Sequence, residues 1–189
     1  MDVCVIGCGG IGSYLAQHID SLIELNQIKD SDYVFFDDND VELKNILYQN
    51  FKSRDIDSPK TEALSMKYFN VRFSCKRITL KDLSYYKLIV LCADNNIIRR
   101  EAYENWRKYS IPFIDARANG KVIGIYSNDT PDYLNTIDES VESFSCQNPF
   151  QLAKKEIEYG NVVVAAALAQ VLLNYSRNES LPNDLIISF

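Results

Sequence analysis

Residues 3–13 read Val3-Cys4-Val5-Ile6-Gly7-Cys8-Gly9-Gly10-Ile11-Gly12-Ser13. A short apolar run breaks straight into glycines. A helical pattern follows, with Ile11, Leu15, Ile19, Leu22 and Ile23 recurring at three- and four-residue steps. This order predicts a buried strand over 2–6, a turn, and a helix from about Ile11 to Leu25. Gly7, Gly9, Gly10 and Gly12 are more glycines than a tight turn needs. They let main chain approach a ligand, and the helix N-terminus offers unpaired N–H groups to an anion. Gly7, Gly9 and Gly12 fit the dinucleotide spacing G-x-G-x-x-G. A second strand over 33–37 ends in Asp37-Asp38, and Asp37 stands 25 positions after Gly12. A carboxylate there suits ribose hydroxyls. These features point to a bound nucleotide without saying which one, and alone they permit a nicotinamide-dependent dehydrogenase.

Farther along, strand and helix signals alternate, which predicts an α/β fold of Rossmann type: a mostly parallel sheet with helices on both faces. A short helical piece is expected over 41–46. Ser58-Pro59 reads as N-cap and first helical residue of a helix reaching about Phe69. Strands are expected over about 71–78, over 88–92 and over 112–117. A helix over Asn96–Tyr109 lies between the last two, capped by Asp94 or Asn95. Asn119-Gly120 is a hairpin signal, so 122–126 should pair antiparallel with the preceding strand. Residues 127–148 read as a long polar loop containing Asp138-Glu139-Ser140. The segment 162–175 is apolar nearly all round, which predicts a helix deeply buried or shared with a partner. A strand over 185–189 follows, adding to the antiparallel side. The expectation is a single domain over 1–189.

The sequence has 189 residues, 47% of them hydrophobic, and a net charge of −6. No apolar run approaches the ~18 residues a membrane span needs. The acidic balance speaks against nucleic acid as a ligand. No signal peptide is expected, because the glycine loop begins at residue 7. Five cysteines, with no C-x-x-C pair, argue against structural zinc and a disulfide scaffold. Cys4, Cys75 and Cys92 sit in apolar or strand-like runs and read as small buried hydrophobes. Free thiols point to a reducing compartment, hence the cytoplasm. His18, the one histidine, falls among polar neighbours on the first helix and suggests no base.

Taken in order, several segments resemble the ThiF/MoeB superfamily, the ubiquitin-activating-enzyme fold. Gly7–Ser13 matches its G-x-G-G-x-G-S loop. Asp37-Asp38-Asn39-Asp40-Val41-Glu42-Leu43-Lys44-Asn45-Ile46-Leu47-Tyr48-Gln49 is similar to its D-x-D-x-V-x-x-S-N-L-N-R-Q pattern. Asp57-Ser58-Pro59-Lys60-Thr61-Glu62-Ala63 looks like its G-x-x-K-A helix start. Asp94-Asn95-Asn96-Ile97-Ile98-Arg99 matches D-N-x-x-x-R, and Gly160-Asn161 falls where the family begins its last helix. The resemblance covers nearly the whole chain.

It implies adenylylation, by ATP with Mg²⁺, of the C-terminal carboxylate of a ubiquitin-like protein or a peptide, in a homo- or heterodimer. By the resemblance, Gly7, Gly9, Gly10, Gly12 and Ser13 seat the nucleotide with Asp37. Asn45 and Gln49 touch the nucleotide, Lys60 contacts phosphate, and Asp94 handles Mg²⁺. Cys146 corresponds loosely to a sulfur-handling or thioester cysteine. Four features depart from the pattern. Tyr48 stands where the family has an arginine facing the triphosphate, with Arg54 the nearest candidate substitute. Asn39 replaces an aspartate. The sequence opens on its first strand, without the N-terminal helix of many relatives. The zinc-binding cysteine pairs of many relatives are missing too. The expectation is a short, divergent member, with a catalytically reduced scaffold subunit as the alternative.

Overall fold

A computed structural model gives the fold and describes residues 2–29, 31–137, 146–147, 152–154 and 156–189. Its strands are β1 (Asp2–Ile6), β2 (Asp32–Phe36), β3 (Arg72–Ser74), β4 (Leu88–Leu91), β5 (Phe113–Asn119), β6 (Val122–Ser127) and β7 (Asp184–Ser188). The helices are α1 (Gly12–Glu24), α2 (Lys60–Ser65), α3 (Leu80–Leu83), α4 (Asn96–Tyr109) and α5 (Gly160–Ser176). Single 3-10 turns cover Asn45–Leu47, Ser53–Asp55 and Tyr133–Thr136.

The strands form one sheet in the order β3-β2-β1-β4-β5-β6-β7. The first five run parallel, and β6 and β7 join antiparallel at the C-terminal side. Alternation along β1 explains the layers. Val3 and Val5 face a core with Leu15 and Ile19 of α1 and Leu168 and Leu172 of α5. Cys4 and Ile6 face the other way, toward Leu83, Ile98 and Ala102 below α3 and α4. Helices therefore cover both faces, as a parallel sheet requires.

Several boundaries differ from the sequence-based expectation. β3 has three residues where a strand over 71–78 is expected, so 75–79 is loop. Cys75 is accordingly exposed rather than buried. Helix α2 stops at Ser65, well short of Phe69, and Pro59 takes the cap position with no side-chain cap. The turn expected over 41–46 falls at Asn45–Leu47 instead. In the β5–β6 hairpin Asn119 still pairs with Val122, so the two-residue turn is Gly120-Lys121. Gly120 has φ +58°, the left-handed conformation a glycine-first hairpin turn uses. Asp138-Glu139-Ser140 lie outside the described residues, but Tyr133, in the same predicted loop, is buried. One face of α5 is buried on α1, β5 and β6, while Val163, Ala166 and Gln170 lie on its exposed face.

Candidate active site

The chain leaves β1 for β2 on one side and enters β4 on the other. Such a switch in strand order opens a crevice at the carboxyl ends of the strands. A cleft of about 600 Å³ lies there, and Gly7, Gly9 and Gly10 line it. Gly7 has φ +98°, and a Cβ on it would stand 2.9 Å from the amide nitrogen of Ala93. The glycine loop thus backs directly onto the turn after β4. On the other flank Asp37 fixes the loop: its Oδ2 accepts the Cys8 N–H at 2.7 Å. Its Oδ1 accepts the main-chain and side-chain N–H groups of Asn39 at 2.9 and 3.0 Å.

Lys60 enters from α2. Its N–H donates to the Asn39 carbonyl at 3.0 Å, beside an isolated bridge between Asp40 and Pro59. That short pairing pins the start of α2 beside Asp37. Lys60 is only 9% exposed and lines the cleft, and its ammonium makes no hydrogen bond or ion pair among the described residues. Asp94 lies on the cleft wall at the end of β4. The cap of α4 is Asn95, whose Oδ1 accepts the Ile97 N–H at 2.7 Å. A side chain that caps a helix is committed to its first turn. Because Asn95 takes that duty, the Asp94 carboxylate is left to the cleft.

Asn45 and Gln49 also line the cleft. Asn45 Oδ1 accepts the Glu42 N–H at 2.8 Å. Gln49 Oε1 is buried without a partner among the described residues. Tyr48 stands between them with its hydroxyl against both side chains, and burial raises its pKa. Arg54 does not compensate: it points outward, 73% exposed, toward Asp55.

Gly12 and Ser13, expected to touch the nucleotide, stand behind the cleft. A Cβ on Gly12 would lie 1.8 Å from the Gly7 carbonyl oxygen, so this glycine permits the turn to close on itself. Ser13 is fully buried and its hydroxyl accepts the Asn50 N–H at 3.1 Å.

The ThiF family model matches residues 1–185. This chain belongs to the ThiF family.

Solved structures carry the same fold at low identity. E. coli MccB with ATP has a TM-score of 0.70 at 16% identity, and MccB with AMPCPP and selenomethionine MccA has 0.71 at 18%. Selenomethionine PaaA has 0.69 at 16%. Each comparison covers 100% of this chain and 60% of the other, so the chain spans about three fifths of those proteins. Among curated protein sequences, none matches it.

Three parts of this ThiF-family site escape the sequence reading. Lys76, Arg77 and Thr79 line the cleft from the loop after β3. Lys76 and Arg77 are hidden when 71–78 is read as strand; the carboxyl end of a parallel strand is where ligand-facing residues belong. The second part is Asn161, almost fully buried in the first turn of α5. Its Nδ2 donates to the carbonyls of Gly10 at 3.0 Å and Tyr48 at 2.8 Å, clamping the glycine loop to the segment that carries Gln49.

The third part is a buried charge network. Asp115 is fully buried and accepts from Arg99 Nε at 3.2 Å, Arg117 Nε at 2.7 Å and the Tyr133 hydroxyl at 2.9 Å. Arg99 also donates to the Ala93 carbonyl at 3.0 Å, which holds the residue preceding Asp94. Removing one partner of such a cluster strands a charge away from water.

Cys146 borders the cleft against Gly10. Burial, reinforced by the Asp94 carboxylate, pushes its thiol up to about 12. The thiolate is the nucleophilic form, and this arrangement disfavours it for Cys146 at neutral pH. Burial also raises Cys4, Cys8 and Cys92. Iodoacetamide at pH 8 is therefore expected to modify Cys75 first, which peptide mass spectrometry of a time course reads directly. Equally early labelling of Cys146 would contradict the closed thiol.

Proposed function

We propose that this ThiF-family chain is an ATP-dependent adenylyltransferase that activates the C-terminal carboxylate of a ubiquitin-like protein or peptide. The observation that carries it is Lys60: a largely buried lysine whose ammonium has no partner among the described residues, lining a cleft whose other wall is a glycine loop. A cation in so enclosed a place calls for an anion, and a triphosphate supplies one. The apolar wall of Ile6, Phe36 and Ile78 suits a base, and Asp37 suits the ribose.

In the proposed reaction a carboxylate oxygen of the acceptor attacks the α-phosphorus of ATP. The bond from that phosphorus to the bridging oxygen breaks, and pyrophosphate leaves with the electron pair. The glycine-loop amides and Lys60 oppose the charge that develops. Asp94 would hold Mg²⁺, which offsets charge on the phosphates. Among the described residues no group of three or more metal-binding side chains occurs. Mg²⁺ does not demand one, since one or two carboxylates and the phosphates suffice. The exposed face of α5 suits a homo- or heterodimer. No described helix is long and apolar enough to cross a membrane, and a cytoplasmic place fits five free thiols.

A second reading, a nucleotide-binding scaffold paired with an active subunit, is favoured by Tyr48 in the cleft and Arg54 turned away from it. A nicotinamide enzyme is disfavoured, because it has no use for Lys60 and Asp94 together.

Thermal shift with Mg·ATP against NAD⁺ tests the ligand. Stabilisation is expected from Mg·ATP alone, growing as RT ln(1 + [L]/Kd). Labelled-pyrophosphate exchange with peptides tests the chemistry: a free C-terminus is expected to support exchange and an amidated one to abolish it. A shift with NAD⁺ alone would overturn the nucleotide reading. Binding of Mg·ATP with no exchange for any free carboxylate would favour the scaffold.

A further inference from the structure

The main-chain N–H groups of Gly9, Gly10 and Ile11 have no acceptor among the described residues. Free amides at a helix N-terminus suit an anion. They serve one well only if their peptide planes are held, and Gly9 and Gly10 bring no side chain to hold them. The hold comes from outside the cleft.

Its last link is Asn161 of α5. The Nδ2 group gives its hydrogens to two carbonyls, Gly10 at 3.0 Å and Tyr48 at 2.8 Å. Turned over, this amide would set its oxygen against both carbonyl oxygens. The link before it fixes the direction: Gln147 Nε2 donates to Asn161 Oδ1 at 3.2 Å. Gln147 in turn cannot rotate. Its Oε1 accepts the Glu158 N–H at 2.9 Å, and its Nε2 donates to the Glu158 carbonyl at 2.6 Å. One side-chain amide thus pairs with one residue's main chain in both directions. Reversed, it would meet donor with donor and acceptor with acceptor. Gln147 and Asn161 are each 1% exposed, so bulk water does not replace a lost partner.

Direction therefore passes from the Glu158 main chain through Gln147 and Asn161 to the Gly10 carbonyl. A peptide unit is planar, so fixing that carbonyl also fixes the Ile11 N–H. Cys146, the neighbour of Gln147, is seated on the same glycine. Its carbonyl accepts the Gly120 N–H at 3.2 Å, and a Cβ on Gly10 would lie 3.2 Å from its Sγ. Gln147 does not itself line the cleft.

We propose that Gln147 is a positioning residue for nucleotide binding: through Asn161 it holds the Gly10–Ile11 peptide in the orientation that meets the phosphates. This rests on the ATP reading above and adds to it a residue that touches no ligand. Donors already in place need no reorientation when the anion arrives, whereas a loop free to turn loses affinity to its own ordering.

The test uses the whole chain, Mg·AMPCPP and titration calorimetry. Gln147→Glu keeps the shape and puts an oxygen where the Nε2 donor stands. Ionised, that oxygen faces two acceptors, the Glu158 carbonyl and Asn161 Oδ1. At about pH 8 the variant is expected to bind at least about tenfold more weakly than the parent. Burial and the two facing acceptors both disfavour the charged form, so the new carboxyl titrates above the usual ~4.3. As pH falls through that raised value the carboxyl gains a proton and donates again. The affinity of the variant relative to the parent is therefore expected to return toward one between about pH 8 and about pH 5.5. A residue that only supports the fold would lower the melting temperature and leave this ratio at one throughout. A second readout uses the unaltered protein: exchange of the Asn161 side-chain amide hydrogens, followed by NMR. It is expected to slow about tenfold once Mg·AMPCPP exceeds its Kd about tenfold, because the opening that frees this amide also removes the binding state. A ratio of one at every pH, a weakened affinity that acid does not restore, or unaltered Asn161 exchange would each overturn the proposal while the parent binds Mg·AMPCPP. A parent that does not bind Mg·AMPCPP would instead remove the nucleotide reading, and the positioning role with it.

Discussion

Lys60→Met is expected to weaken Mg·AMPCPP binding about 10- to 100-fold without lowering the melting temperature. The affinity loss follows from removing one charge-assisted contact to phosphate, worth about 1.5–3 kcal/mol. The unchanged or raised stability follows from what Lys60 lacks. The residue is 9% exposed, yet its ammonium bonds to no described group. Methionine keeps the stem, and no native contact disappears with the charge. Titration calorimetry and scanning calorimetry on the same preparation read both quantities. Undiminished affinity would show that the ammonium does not face the phosphates. A large fall in melting temperature would show that it holds the fold instead.

Asp94→Asn is expected to abolish the effect of Mg²⁺ on nucleotide binding and to cut pyrophosphate exchange at least 100-fold, as loss of a metal's charge stabilisation of several kcal/mol implies. In EDTA the variant should bind ATP as well as the parent or better, because one negative charge facing the triphosphate has gone. Folding should survive, since α4 is capped by Asn95 and not by Asp94. Isothermal titration with and without Mg²⁺ separates these outcomes. A variant that keeps its full response to Mg²⁺ would take Asp94 out of the metal site. One that no longer folds would assign it a structural role.

The parts of this site legible in the sequence are those whose spacing is local. Strand, glycines and helix lie within the first two dozen residues, and the parallel order follows from alternating patterns. Lys60 stood out through a motif, yet its burial was invisible, because it depends on residues 39 to 41 pairing with 57 to 60. The choice between Asp94 and Asn95 as the cap needed coordinates: both are good capping residues, and backbone direction alone decides. Lys76 and Arg77 were missed because Phe73 and Ile78 read as one strand, which in fact stops at Ser74. Ser13 matched its motif and still turns its hydroxyl to Asn50.

Asn161 reaches back 151 residues to the Gly10 carbonyl. A ribosome therefore releases the glycine loop long before its fastener. Until α5 emerges, the Asn161 lock between that loop and the Tyr48 segment is missing. Competence to hold a ligand thus waits for that helix, and a message cut short before it yields a sheet with an unlatched mouth.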